Sequence, residues 1–175
     1  PQQATSELAK RWVPLIKYWS DATGVSFQFR TSKDIGTFQE DVRKGAYDVM
    51  FVNAYHYTQF NHDPGYVAFA SEKGASNHGI LVVLHTSPVY RVEQLDLAKI
   101  AFSSPSAVMG TWLTGAYLRE SKVRFSPVYV KSMDSVYRSV AKGLFSAGGG
   151  EMRTYGALDP EIKSPLRIVW QSEAF

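Results

Sequence analysis

The apolar residues of this chain fall in short runs whose period switches back and forth between helix and strand, and that switching limits the fold more than any single motif. From Thr5 to Thr23, Leu8, Trp12, Leu15, Ile16 and Trp19 recur at helical spacing. They predict one amphipathic helix with Thr5 or Ser6 as N-cap, Pro14 as a kink and Gly24 as its stop. Val25, Phe27 and Phe29 then alternate and predict a strand ending at Thr31. A helix over 35–44, closed by Gly45, and a buried strand over 48–52 follow. A short helix or turn over 53–59 and a strand over 67–70 come next, and the polar, glycine-containing stretch 71–78 carries the chain elsewhere. Beyond it the pattern predicts strands over 79–85, 99–103, 128–131, 146–149 and 166–171, separated by helices near 92–97, 109–120, 135–142 and 153–158. Strands alternating with helices on short loops imply an α/β fold with a mainly parallel sheet covered on both faces, whose ligands sit beyond the carboxyl ends of the strands.

With 175 residues, 45% of them hydrophobic and ten Phe, ten Tyr and four Trp among them, the chain can bury a core in one domain or two small lobes. Disordered and low-complexity proteins are excluded. Nineteen Lys plus Arg against 16 Asp plus Glu leave a net charge of +3, spread without a run of like charges, so nothing points to nucleic acid. The absence of cysteine excludes disulfides, thiolate catalysis and Cys-ligated metal. The longest apolar stretch, 79–84, falls far short of the roughly 18 residues that span a membrane, so no direct membrane insertion is expected of this segment. One internal echo bears on organisation: Val42-Arg43-Lys44-Gly45-Ala46-Tyr47-Asp48-Val49 resembles Val140-Ala141-Lys142-Gly143-Leu144-Phe145-Ser146-Ala147. Two similarly built lobes account for it, and so does the generic succession of helix, Lys-Gly and strand.

Familiar catalytic and cofactor motifs are missing. No serine sits in a Gly-x-Ser-x-Gly elbow, and neither a Walker pattern nor Gly-x-Gly-x-x-Gly occurs, so no cofactor is implied. His56 and His62, and likewise His78 and His85, lack the His-Glu-x-x-His arrangement of a zinc site, so no metal is expected. What stands out is a set of polar and aromatic residues placed just after predicted strands. Asn53, Tyr55, His56 and Tyr57 follow one; Ser103, Ser104 and Ser106 another; Ser132, Asp134 and Ser135 a third; and Arg153 follows the triple glycine 148–150. In a parallel sheet these groups converge on one edge, where helix N-termini offer free N–H groups and Arg153 a bidentate donor for an oxyanion. Plainer roles are open for each: helix capping for Ser104, Ser132 and Ser135, core packing for Tyr55 and Tyr57, and an ion pair with Glu151 or Asp159 for Arg153.

Several blocks taken in order resemble the phosphonate, phosphite and phosphate type of periplasmic solute-binding proteins. They are Leu8-Ala9-Lys10-Arg11-Trp12 with Pro14-Leu15, Gly45-x-x-Asp48-Val49-x-Phe51, and Ile100-Ala101-Phe102 before a Ser-Pro-Ser loop ending in Gly110. Ser132-x-Asp134-Ser135-Val136, Val140-Ala141-x-Gly143 and Leu166-Arg167-Ile168-Val169-Trp170-x-Ser172-Glu173 follow. The resemblance implies a bilobal, type II binding-protein fold that closes on a ligand without catalysis. It implies a first lobe of residues 1–75 plus 160–175, a second of 76–159, and crossovers near 71–79 and 151–166. It also implies a strand ahead of Pro1 and further elements beyond Phe175. Relatives that bind phosphonates carry a Ser-Thr-Ser-Gly type loop where this chain has Ala107-Val108-Met109-Gly110, and often a His where it has Met133. The stretch Gly-Gly-Gly-x-x-Arg-Thr at 148–154 also resembles the extracytoplasmic sensor domains that precede histidine kinases.

The resulting expectation is a periplasmic or extracytoplasmic domain that binds a small, anionic ligand. It serves either a membrane permease as an uptake receptor or a downstream histidine kinase as a sensor. Asn53, Tyr55, His56, Tyr57 and His78 face Ser104, Ser106, Met109, Gly110, Ser132, Asp134, Ser135 and Arg153 across the cleft. Asp134 is out of place beside an anion unless it holds a Ser or Arg in place or meets a ligand amine. Two other readings compete: an interaction module whose cleft is vestigial, and an enzyme using His56 or His78 as general base.

Overall fold

The computed structural model describes residues 3–74 and 76–174. The first part holds helices α1 (Thr5–Thr23), α2 (Ile35–Arg43) and α3 (Ala54–Phe60). After the stretch 71–78 come β1 (Gly79–Leu84), a 3-10 turn (Val92–Leu95) and β2 (Ala98–Phe102). A π-helical turn (Val108–Leu113) runs directly into α4 (Thr114–Glu120), and β3 (Phe125–Tyr129), α5 (Met133–Ala141) and β4 (Ala147–Glu151) follow. The last elements are α6 (Met152–Gly156), α7 (Pro160–Lys163) and β5 (Leu166–Gln171).

All five strands form one sheet in the order β3-β2-β4-β1-β5. β2 pairs parallel with β3 and with β4, whereas β1 pairs antiparallel with both β4 and β5. In place of the mainly parallel sheet expected, the sheet is mixed, two pairings parallel and two antiparallel around one reversed strand, which hydrophobic periodicity cannot detect because it carries no direction. The reversal has a useful result. The start of β1 lies at the carboxyl edge of the other four strands, with Gly79 paired to Glu151 and Ile80 to Gln171.

β1 is buried on both faces, so its apolar run is unbroken. Ile80 and Val82 pack with Met133, Tyr137 and Val140 of α5, while Leu81 and Val83 pack with Leu95, Ile100, Phe102 and Leu118 on the other face. β4 needs its glycines for that packing. A Cβ on Gly149 would overlap the Gly110 carbonyl and the Phe102 ring, and one on Gly150 would overlap the Tyr137 hydroxyl. Residues 160–171, expected with the first lobe, lie with the second: α7 packs on α5 and β5 pairs with β1. The resemblance implied a return to the first lobe, but β1 leaves an open edge that β5 fills.

The first part is helical where predicted, but its predicted strands over 25–31, 48–52 and 67–70 join no ladder among the described residues. These segments carry strand-like alternation, yet a strand also requires a hydrogen-bonding partner, which alternation alone does not supply. Several of their large side chains stay exposed, Phe51 at 63%, Phe69 at 73% and Val67 at 82%. Gly24 ends α1 in the left-handed conformation (φ 71°) as predicted. Its start differs from expectation. Neither Thr5 nor Ser6 caps the helix; Ala4 occupies the N-cap position, and its N–H donates to the Asp134 carboxylate at 2.6 Å.

Candidate functional site

The carboxyl edge of the sheet collects most of the residues singled out by the sequence. After β2, the Ser104 hydroxyl accepts from the Ser106 N–H at 3.1 Å and pairs with the Ser106 hydroxyl at 2.9 Å. The Ser104 carbonyl accepts from Thr111 Oγ1 at 2.8 Å, and the Pro105 carbonyl from the Trp112 indole N–H at 2.6 Å, so the Ser-Pro-Ser loop is tied to the helix it precedes. That helix opens as a π turn, with Thr111 N–H and Trp112 N–H both donating to the Ala107 carbonyl. The amides of Val108, Met109 and Gly110 precede that first hydrogen bond, as in any helix start. Gly110 is buried where three elements meet: a Cβ there would strike Met133 of α5 and approach the Gly149 carbonyl of β4. Met109 sits above β1, its carbonyl against Gly79.

At the start of α5, the Ser132 hydroxyl accepts from the Ser135 N–H at 3.1 Å and pairs with the Ser135 hydroxyl at 2.9 Å, so Ser132 has the capping role open to it from sequence and Ser135 carries the N–H that it caps. Asp134 turns to the N-terminus of α1, where it accepts from the Ala4 N–H, a backbone partner in place of the Ser, Arg or amine expected of it.

Beyond β4 lies a polar cluster that joins the crossover to the sheet. The Arg153 guanidinium pairs with Glu72, and not with Glu151 or Asp159. Asn77 accepts from the Arg153 and His78 N–H groups and donates to the Glu151 carboxylate at 3.1 Å. His78 Nδ1–H donates to the Ser172 carbonyl at 2.9 Å, and the Ser172 hydroxyl accepts from the Gly79 N–H. Glu151 is only 3% exposed. Burial pushes its carboxyl above the usual range, offset in part by the Asn77 amide and by the positive Arg153. The fold therefore binds the Glu151 proton more tightly than the unfolded chain does, and stability falls as pH rises from the unfolded carboxyl range toward the raised folded value. Glu151→Gln is expected to match the parent below about pH 4 and to melt higher than it near neutrality. Melting temperature followed against pH checks this; two curves that keep a constant offset would refute it.

The first-part residues divide. The Tyr55 ring meets Trp112 edge-on, with centroids 4.8 Å apart, and so reaches the π turn of the second part. Asn53 is spent as the N-cap of α3, accepting from the His56 N–H at 2.8 Å. His56 is buried, stacked on Phe60, and accepts at Nε2 from the Gln39 amide at 3.1 Å. Burial pushes its pKa below the ordinary histidine value. Tyr57 is half-buried on the same helix. The edge thus brings together Tyr55, His78, Ser104, Ser106, Met109, Gly110, Ser132, Ser135 and Arg153, while Asn53, His56 and Asp134 face elsewhere. The ring hydrogen bonds of His56 and His78 go to the Gln39 amide and the Ser172 carbonyl.

Sequence reasoning missed Glu72, Asn77, Trp112 and Tyr137, and weighed Glu151 only as a partner for Arg153. Glu151 carried a signal, a carboxylate directly after three strand glycines, whereas Trp112 depends on a π turn that no sequence pattern announces. Among the described residues no cluster of His, Cys, Asp or Glu suits a metal ion, and no helix is long and apolar enough to cross a membrane.

The fold recurs in solved structures. A binding protein component of an ABC phosphonate transporter from Pseudomonas aeruginosa superposes with a TM-score of 0.82 at 15% identity, covering 99% of this chain and 63% of that one. PhnD1 from Prochlorococcus marinus, solved in complex with methylphosphonate, gives 0.88 at 17% identity, covering 100% of this chain and 71% of that one. The VFT2 domain of BvgS from Bordetella pertussis gives 0.59 at 16% identity over 92% of this chain and 65% of that one. The chain thus spans about two thirds of the length of these structures. No curated protein matches it in sequence. At these identities the likeness establishes the type II binding-protein fold alone. The family model described as "ABC transporter, phosphonate, periplasmic substrate-binding protein" matches residues 1–175, and the chain belongs to that family of periplasmic substrate-binding proteins.

Proposed function

We propose that this chain is the binding portion of an uptake receptor for a small ligand bearing an oxyanion of the phosphonate class, which it delivers to a membrane permease. The observation that carries this reading is the convergence at one sheet edge of the first-turn amides of Val108, Met109 and Gly110, the hydroxyls of Ser104 and Ser106, and the Arg153 guanidinium. Amides at a helix start carry partial positive charge, and a guanidinium fork matches two oxyanion atoms at once. Tyr55, which touches Trp112 from the first part, supplies the facing wall. The two parts act as lobes, the first ending near residue 75, and the bound ligand favours the closed arrangement because only there do both lobes touch it.

A second reading draws on Ala107, Val108 and Met109. Where the resemblance leads one to expect hydroxyl donors, these side chains offer none, which favours a cleft that serves a protein partner, such as a downstream histidine kinase, without a small ligand. A melting panel separates the two. It covers methylphosphonate, phosphite, phosphate, sulfate, carboxylates and amines at millimolar concentration. The receptor reading expects selective stabilisation by phosphonate-type anions, about 2.7 kcal/mol at a hundredfold excess over Kd. Arg153→Ala is expected to weaken that binding roughly ten- to hundredfold, the loss of a charge-assisted pair. A flat panel, or a response that ignores Arg153, sinks the oxyanion site.

A further inference from the structure

We propose that the Ser103 hydroxyl is the buried anchor of the oxyanion site, donating to a ligand oxygen held between the starts of the 108–120 helix and α5. This rests on the receptor reading above, and it names the residue that takes over from the hydroxyls missing at 107–109. The observation behind it is an orphaned polar group. Ser103 follows β2 directly and is 1% exposed, yet its hydroxyl has no hydrogen-bond partner among the described residues. Buried hydroxyls are as a rule paired, because burial takes away their bonds to water and returns nothing unless a partner is found. Its neighbours follow that rule. The Ser104 and Ser132 hydroxyls each accept from a backbone N–H, and Thr114 Oγ1 donates to the Gly110 carbonyl at 2.6 Å. Those groups are spent on the protein's own loops and helix starts, whereas the Ser103 proton is uncommitted.

The place of Ser103 in the fold matches that proton to an anion. Side chains alternate along β2, so Ser103 shares a face with Ala101. That face is the one α5 covers, because Ala101 pairs with Gly148, where a Cβ would strike Val136 and Val140 of α5. Farther toward the carboxyl edge, Met133 in the first turn of α5 lies against Gly110 in the first turn of the other helix. Ser103, two residues beyond Ala101, therefore stands where the two helix starts converge. The amides of Met133 and Asp134 precede the first hydrogen bonds of α5, as those of Val108, Met109 and Gly110 precede the first of the 108–120 helix. Both starts carry partial positive charge. The one acid in the first turn of α5, Asp134, is turned to Ala4 and does not oppose an anion there. An oxyanion at this corner meets amides from two helices and one hydroxyl proton from the strand between them. The side chains of Val108, Met109 and Met133 have no proton to give, so the side-chain donor at the bottom of the corner is Ser103.

The test is calorimetric titration of the chain with methylphosphonate and, separately, inorganic phosphate, using the parent, Ser103→Ala and Arg153→Ala, with the ligand-free melting temperature of each measured alongside. Ser103→Ala is expected to weaken binding of whichever anion the parent takes by about tenfold or more, the worth of a hydrogen bond to a charged group. The same substitution is expected to leave the ligand-free melting temperature unchanged or raised, because no protein group loses a partner and an unpaired buried hydroxyl is removed. Affinity and melting temperature falling together overturn the proposal, since Ser103 is then bonded within the protein and acts through its structure. Parental affinity in Ser103→Ala beside weakened Arg153→Ala removes Ser103 from the site and leaves the receptor reading standing. Parental affinity in Arg153→Ala, or a parent that binds neither anion, refutes the receptor reading and takes this proposal with it.

Discussion

Alanine at Gly149 is expected to cost about 3 kcal/mol or more of stability, the upper range of core overpacking. The added Cβ overlaps the Gly110 carbonyl on one side and the Phe102 ring on the other. A flexible side chain can turn aside, but a backbone oxygen at the start of a helix cannot move without dragging the π turn with it. Phe102 is fully buried and hemmed in by Phe125 and Tyr129, so its ring has little room either. Gly156→Ala is the matched control, because nothing lies within 4 Å of the position a Cβ would take there and its φ is not left-handed. That variant should stay within about 0.5 kcal/mol of the parent. Urea unfolding reads both, as a shift of midpoint at constant slope. Gly149→Ala with a parental midpoint would mean that the helix and β4 do not approach so closely in solution, and the convergence of site residues at Gly110 would go with it.

Tyr137→Phe is expected to remove about 2 kcal/mol, which in a chain of this size lowers the melting temperature by roughly 4–8 °C. The ring of Tyr137 fills the space over Gly150 and meets Tyr155 edge-on, contacts that Phe keeps. Its buried hydroxyl donates to the Glu151 carbonyl at 2.9 Å, accepts from the Glu151 N–H at 3.0 Å and pairs with Thr154 Oγ1 at 3.0 Å. Burial pushes the phenol far above its ordinary pKa, so it remains a donor at every working pH. Phe strands the Glu151 amide in a buried place, and hydrogen exchange at that amide should quicken along with the loss of stability. A melting point within a degree of the parent would show that the hydroxyl is not the clasp between α5 and the end of β4.

Legibility in the sequence tracked how local each cause is. The span and the end of α1 were legible, because its face repeats every three or four residues and Gly24 takes the left-handed turn, whereas its N-cap, Ala4, was not. β5 was placed to the residue, since an apolar run between a proline and a polar tail leaves little choice. The reversed direction of β1 and the pairing of β5 beside it were not legible, because both depend on which edge is left open once the other strands have packed. Over 25–31 and 67–70 the alternation is present and the ladder is absent. At the site, the positions after β2, β3 and β4 were readable from strand order. The partners were not: Glu72 reaches Arg153, and Asp134 reaches Ala4, only after the chain has doubled back on itself.

The entry to β1 and the exit from β5 stand side by side, with Gly79 and Ser172 exchanging backbone and hydroxyl hydrogen bonds. The sheet and its helices therefore form a cassette whose two ends are stapled to each other. Loops within it can lengthen, shorten or change composition without altering the spacing at which the chain is handed back. Selection can revise one part of such a molecule while the other keeps its attachment.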